Sequence, residues 1–278
     1  MDPEVRRQLV EQHALFHRTC ASLAKLMLEE AQPRIEAAPM SGHLDRSVYG
    51  LHTRAAAWAH SVQRLPLVFD IQAHAAACRS LLEIVIDLVL LTQGAEPVEM
   101  LLEWERLCKF REAEAAAAGQ TAAALAARQF VAANEQNVAA AFTTYWPKKN
   151  GKGDPQRWTA RPIREDAKRA DLKLPRLRLH AFAASEYRRL CWSTHGSGLV
   201  LERAMPEHEW PGLSGLALHG VASMLEHTMQ LALQHFGLFD ETWAQRISVA
   251  RSGGRVEAAV EALEAIARRA ETSLEGQE

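Results

Sequence analysis

Tyr187-Arg188-Arg189-Leu190-Cys191-Trp192-Ser193-Thr194-His195-Gly196-Ser197-Gly198 is the stretch where reactive side chains, helical spacing and a stop signal coincide. Tyr187, Cys191 and His195 recur every four residues. They share one face of a helix that Gly196 and Gly198 are suited to end. A histidine there meets a carbonyl-rich terminus, which favours imidazolium, and the missing turn leaves its ring accessible. Arg188, seven residues earlier, is nearly in phase with His195, whereas Arg189 is rotated by about 120° and needs a bend to converge on it. A cationic fork beside a titratable imidazole is what metal-free phosphodiester chemistry requires: one group moves a proton, and another holds the charge growing on phosphorus. The same run also decorates solvated helix faces, and by spacing alone that structural reading is the more frequent one.

Two further sets carry charge. Arg79, Glu83 and Asp87 step by four along a segment, Asp70 to Gln93, that is otherwise apolar on nearly all sides. Such a segment reads as a central helix, and such a stripe as structural ion pairs that orient neighbouring helices. The sharper expectation is that Arg79 and Glu83 line the same pocket as His195. Between Pro147 and His180, eleven basic side chains face four acidic ones. Lys148, Lys149, Arg157, Arg161 and Arg164, with Trp158 among them, are expected either to hold phosphates beside stacked bases or to form a solvated basic loop.

Other polar residues point away from metal chemistry. His13 and His17 are one turn apart with no third ligand following them. His219, His227 and His235 rotate by about 80° per step, so they cannot meet on one ion. No glutamate has a histidine three residues later, and no phosphate-cradling glycine motif or nucleophile elbow occurs. No metal and no cofactor are expected. Cys20, Cys78, Cys108 and Cys191 lack ligand-like spacing and read as reduced thiols. Basic and acidic residues, 32 against 34, nearly cancel, so any anion binding is local. Met1-Asp2-Pro3-Glu4 shows no leader, and the apolar run Leu81 to Leu91 is too short to span a bilayer, so a cytoplasmic protein without a membrane segment is expected.

The elements that must position these residues are all helical, because no strand-length alternation appears. Asp2 and Pro3 cap a first helix that fades near Pro33, and Ser41 caps a second, running to Pro66. Gly94 ends the central helix, and Pro97 opens an Ala-rich pair broken near Gly119 and closed at Trp146-Pro147, expected as an arm over 97–146. A long apolar helix from Leu213 to Phe239 should pair with the central one. Ser252-Gly253-Gly254 looks like a hinge before a last amphipathic helix through Val256, Ala259, Val260, Leu263, Ile266 and Ala267. The expected organisation is an N-terminal helix on the core (1–41), a helical domain (42–240) and a C-terminal helix with a frayed end (241–278).

Arg79-Ser80-Leu81-Leu82-Glu83 early, then Arg157-Trp158, then Tyr187 through His195-Gly196-Ser197, then a long apolar helix, resembles an uncharacterised bacterial all-helical family. Its members usually carry Arg-x-x-x-Glu early, and Tyr, a serine and His-Gly or His-Pro late. The resemblance covers roughly residues 42–240, and the family looks related to the HEPN superfamily, many of whose members are ribonucleases or defence and toxin proteins with Arg, four to six residues, then His. Cys191 stands where the family usually has serine, and Leu190 where ribonuclease members often carry a polar group. The resemblance implies an all-α, HEPN-like bundle with an additional arm. It also implies a homodimer that sets two Arg and His pairs over one single-stranded RNA. His195 would act as acid or base and Arg188 or Arg189 would stabilise the transition state, with Tyr187, Ser193, Arg79 and Glu83 in support. An antitoxin or other protein partner fits the same reading. The rival expectation is a non-catalytic binding or dimerisation protein in which Arg79, Glu83 and His195 form a buried polar network.

Overall fold

The computed structural model describes residues 2–146, 155, 157–194 and 210–253, with backbone alone for Arg188, Arg189 and residues 191–194. Its first helix, α1 (Pro3–Leu26), starts as the sequence dictates: Asp2 accepts from the Glu4 N–H at 2.8 Å, and Pro3 takes a position that needs no donor. The rod does not fade at Pro33. It widens into a π turn (Met27–Ala31), in which the Gln32 N–H reaches Met27 O, and continues as α2 (Gln32–Glu36). A proline ring presses on the carbonyl four residues back, and the wider turn relieves that contact, which is why the helix survives it.

Helix α3 (His43–Val62) has Gly42 at its cap, one residue later than expected. Ser41 instead donates through N–H and Oγ to Asp45 Oδ2 at 2.8 and 2.9 Å. Helix α4 (Ile71–Thr92) is the central rod. Fourteen of its side chains are buried, Leu81, Leu82, Ile86, Leu88 and Leu90 completely. Helix α9 (Trp210–His235) packs along α4, and α1 packs along α9, with α3 and α8 (Leu179–Thr194) on further sides of the central rod. Each fully buried leucine, isoleucine or methionine contributes roughly 1.5–3 kcal/mol, so this helix layer carries the fold. Gly220 sits where α9 crosses α4 and α8: a Cβ there would collide with Cys78 Sγ and stand 3.0 Å from Phe182 Cζ.

Helices α5 (Val98–Ala116) and α6 (Ala122–Tyr145) pack chiefly on each other and form the expected hairpin, with its turn at 117–121. Trp146 closes the hairpin's base against Trp104 and Phe142. Helix α7 (Ile163–Lys173) and a 3-10 turn (Pro175–Leu177) lead into α8. The last described helix, α10, covers residues 241–253. Its buried Trp243 lies between the guanidinium groups of Arg34, 5.0 Å from the ring centre, and Arg246, at 5.8 Å. Arg246 pairs with Glu30 on the π turn, and Arg251 with Glu226 on α9. No strand occurs among the described residues, and none of their helices is long and apolar enough to cross a membrane.

Candidate functional site

The charged stripe of α4 is where the early and late motifs meet. Its position follows from the helix that faces it. Leu179 and His180 at the start of α8 donate their N–H groups to Asp171 of α7 at 2.8 and 2.9 Å, so a carboxylate caps the positive end of α8. Arg178, in the left-handed region at φ 53°, turns the chain into that cap. Two turns along α8, Tyr187 Oη donates to Glu83 Oε1 at 2.8 Å and accepts from Arg79 Nε at 3.2 Å. Arg79 Nε also reaches Glu83 Oε1 at 3.3 Å, and its guanidinium stands 5.4 Å from the centre of the Tyr187 ring. Arg79 and Glu83 keep 31% of their side-chain surface, so this end of the stripe is open to solvent.

Further along, the stripe closes. Arg157 bonds three carboxylates: Glu83 at 3.3 Å, Asp87 at 2.7 Å and Asp166 at 3.2 Å. Trp158 Nε1 donates to Asp87 Oδ1 at 2.9 Å, and Thr159 Oγ1 to the fully buried Asp166 at 2.6 Å. Arg161 links Asp166, at 2.9 Å, to Glu96, at 2.5 Å, and Arg169 joins Glu96 at 2.6 Å. Arg79, Arg157, Arg161 and Arg169 thus alternate with Glu83, Asp87, Asp166 and Glu96. Buried charges are tolerable when each has a counter-charge and hydrogen bonds. Burial still pushes the Asp87 carboxyl up to about 6, against the pull of Arg157 and the Trp158 N–H. Trp146 Nε1 donates to Trp158 O at 2.7 Å, which ties the hairpin base to this network.

These placements sort the expected site residues. Arg79, Glu83 and Tyr187 come together. Arg157 and Arg161, expected to meet phosphates, hold internal carboxylates instead, and Trp158, 3% exposed, has no face free for a base. Arg164 is exposed on α7, beside exposed Lys168, Lys173, Arg176 and Arg178. Arg188 and Arg189 fall in α8 with backbone alone described, as does Ser193. Lys148, Lys149 and His195 lie outside the described residues. Sequence reasoning missed Asp166 and Glu96 as anchors of the basic segment. The available signal was Asp87 itself, a carboxylate in an apolar run that demanded a cation from elsewhere in the chain.

Among the remaining polar residues, three histidines of α1 and α4 lie near one another. His74 bonds Ser214 Oγ at 2.7 Å and Leu65 O at 2.8 Å. The His13 ring lies beside it, centres 5.8 Å apart and planes tilted by 44°, and His17 reaches Val62 O at 3.1 Å. His219 lies against Phe16 and His235 on Asp45, sixteen residues apart along α9. No group of three His, Cys, Asp or Glu that could hold a metal occurs among the described residues. Cys20 and Cys78 are buried, and burial pushes both thiols up. Compared with protein-family models, curated proteins and solved structures, the chain matches none.

Proposed function

We propose that the α4–α8 face belongs to a metal-independent endoribonuclease of the HEPN kind, a defence or toxin component acting in the cytoplasm. The observation that carries this reading is the meeting of Tyr187 with Arg79 and Glu83 across 104 or more residues of sequence. It supports a common site for the two motifs on which the family resemblance rests. His195 follows Tyr187 by eight residues in the sequence, one position beyond the described end of α8. In this reading His195 moves the proton of the ribose 2′-hydroxyl, and Arg188 or Arg189 stabilises the charge growing on phosphorus. Tyr187, held by Glu83 and Arg79, orients the helix that carries them, and Ser193 stands in support. Single-stranded RNA approaches over Arg164 and the exposed basic side chains of α7, with Lys148 and Lys149 as further contacts, and a homodimer brings two sets together.

The alternation of four arginines with four carboxylates favours a second reading. In it the stripe is a structural network, and the protein is a non-catalytic binding or dimerisation module. The two part in one assay. A mixed single-stranded RNA pool is incubated in EDTA with the wild type, with His195→Ala and with Arg188→Ala combined with Arg189→Ala. Cleavage by the wild type alone, leaving 2′,3′-cyclic phosphate ends, is the expected result. Intact RNA in all three, or equal cutting by the variants, overturns the ribonuclease reading.

A further inference from the structure

An open groove of about 240 Å³ runs between α1 and the start of α9, lined by Leu9, Phe16, Gly212, Gly215, Leu216 and His219. Glycines make its floor: a Cβ on Gly212 would rest 3.6 Å from Leu9 Cδ2, and one on Gly215 would rest 3.7 Å from both His13 Cα and Phe16 Cδ2. With no side chains there, α1 and α9 close to van der Waals distance, and the groove left above them is shallow and largely apolar, a seat for the side chains of a helix laid across it. Helix α10 already occupies the same seam further along. Trp243 lies on Arg34, Arg246 on Glu30, and Gly253 on Ser22, so α10 runs antiparallel to the α1–α2 rod. Arg251, on Glu226, holds the other wall of the seam. Gly253 approaches so closely that a Cβ would stand 3.2 Å from Ser22 Oγ, which aims the chain along α1.

We propose that residues 256–267 of this same chain, outside the described residues, continue in that direction as a helix and fill the groove between α1 and α9. The lengths agree. From Ser22 back to Leu9 is thirteen residues of α1, about 20 Å. Thirteen residues beyond Gly253 is Ile266. Val256, Ala259, Val260, Leu263, Ile266 and Ala267 recur at three and four residues, the stripe a groove-seated helix requires, and Glu257, Glu261 and Glu264 fall outside that stripe. On this register Leu263 faces Gln12, and Ile266 faces Leu9. The occupant is therefore the chain's own C-terminal segment, and the groove is an internal seam. This inference is independent of the ribonuclease reading.

Cysteine pairs in the full-length chain test it. Gln12→Cys with Leu263→Cys is expected to oxidise to an intrachain disulfide at least about tenfold faster than Gln12→Cys with Val256→Cys, which is out of register. Equal rates, or a link found only between two chains, overturn the proposal. Hydrogen exchange gives a second reading. Amides of residues 256–267 should be protected at least about 100-fold in the wild type, and that protection should vanish in Leu263→Asp combined with Ile266→Asp while α4 and α9 stay protected. A wild type unprotected over 256–267 also overturns it.

Discussion

Asp166 shows how much a single side chain can hold. It has no solvent exposure, and its two oxygens receive Arg157, Arg161 and the Thr159 hydroxyl. Asp166→Ala takes one carboxylate from each of Arg157 and Arg161, which keep Glu83, Asp87 and Glu96, and leaves the buried Thr159 hydroxyl without its acceptor, a loss of about 1–3 kcal/mol. The urea midpoint should fall accordingly. A loss below about 1 kcal/mol would mean that water already screens the network. Tyr187 differs because its partners are half exposed, so its hydroxyl is worth nearer 1 kcal/mol.

Elements were more legible than contacts. The boundaries of α4, the break between α5 and α6 and the cap at Asp2 follow from periodicity and from Gly, Pro and Asp chemistry, which act over a few residues. Pro33 misled because a widened turn, invisible to local propensity, absorbs it. The basic segment misled for the opposite reason. Its arginines look solvated when read locally, and only tertiary packing supplies Glu83, Asp87, Glu96 and Asp166 as partners. At the same scale, the crossing of α9 over α4 and α8 depends on one missing Cβ. Gly220→Ala gains helix propensity, yet it must push Cys78 and Phe182 apart. Overpacking of this kind costs about 1–3 kcal/mol. The expected outcome is a lower melting temperature with unchanged helical circular dichroism; a rise would show that the helices separate at no cost.

For the whole molecule, the buried histidines set the response to acid. Burial, then the neighbouring His74 and His17, holds His13 down to about 4, and burial does the same for His52 and His227. The unfolded chain, titrating near 6.5, therefore takes up protons first. Stability from these groups is full above about pH 6.5 and declines as pH falls towards 4, by up to about 1.4 kcal/mol per pH unit for each histidine. Asp87 opposes this, since a carboxyl raised to about 6 favours the folded state at low pH, but it is one group against several. Urea midpoints measured from pH 7.5 to 4.5 should fall on the acid side, and His13→Gln should flatten the slope. A pH-independent midpoint would contradict the placement of these rings.

The bond from Trp146 to the Trp158 carbonyl has a consequence for the sequence between them. The Trp146 indole N–H and the Trp158 carbonyl, one at each end of that lysine-bearing connection, are joined by a 2.7 Å hydrogen bond. Ring closure has thus been met by the two tryptophans whatever the connection contains, and closure entropy grows only with the logarithm of length. Doubling the connection costs about 0.6 kcal/mol. The chain therefore holds a position where length can change, or a reporter can be inserted, while Arg157 stays on its carboxylates.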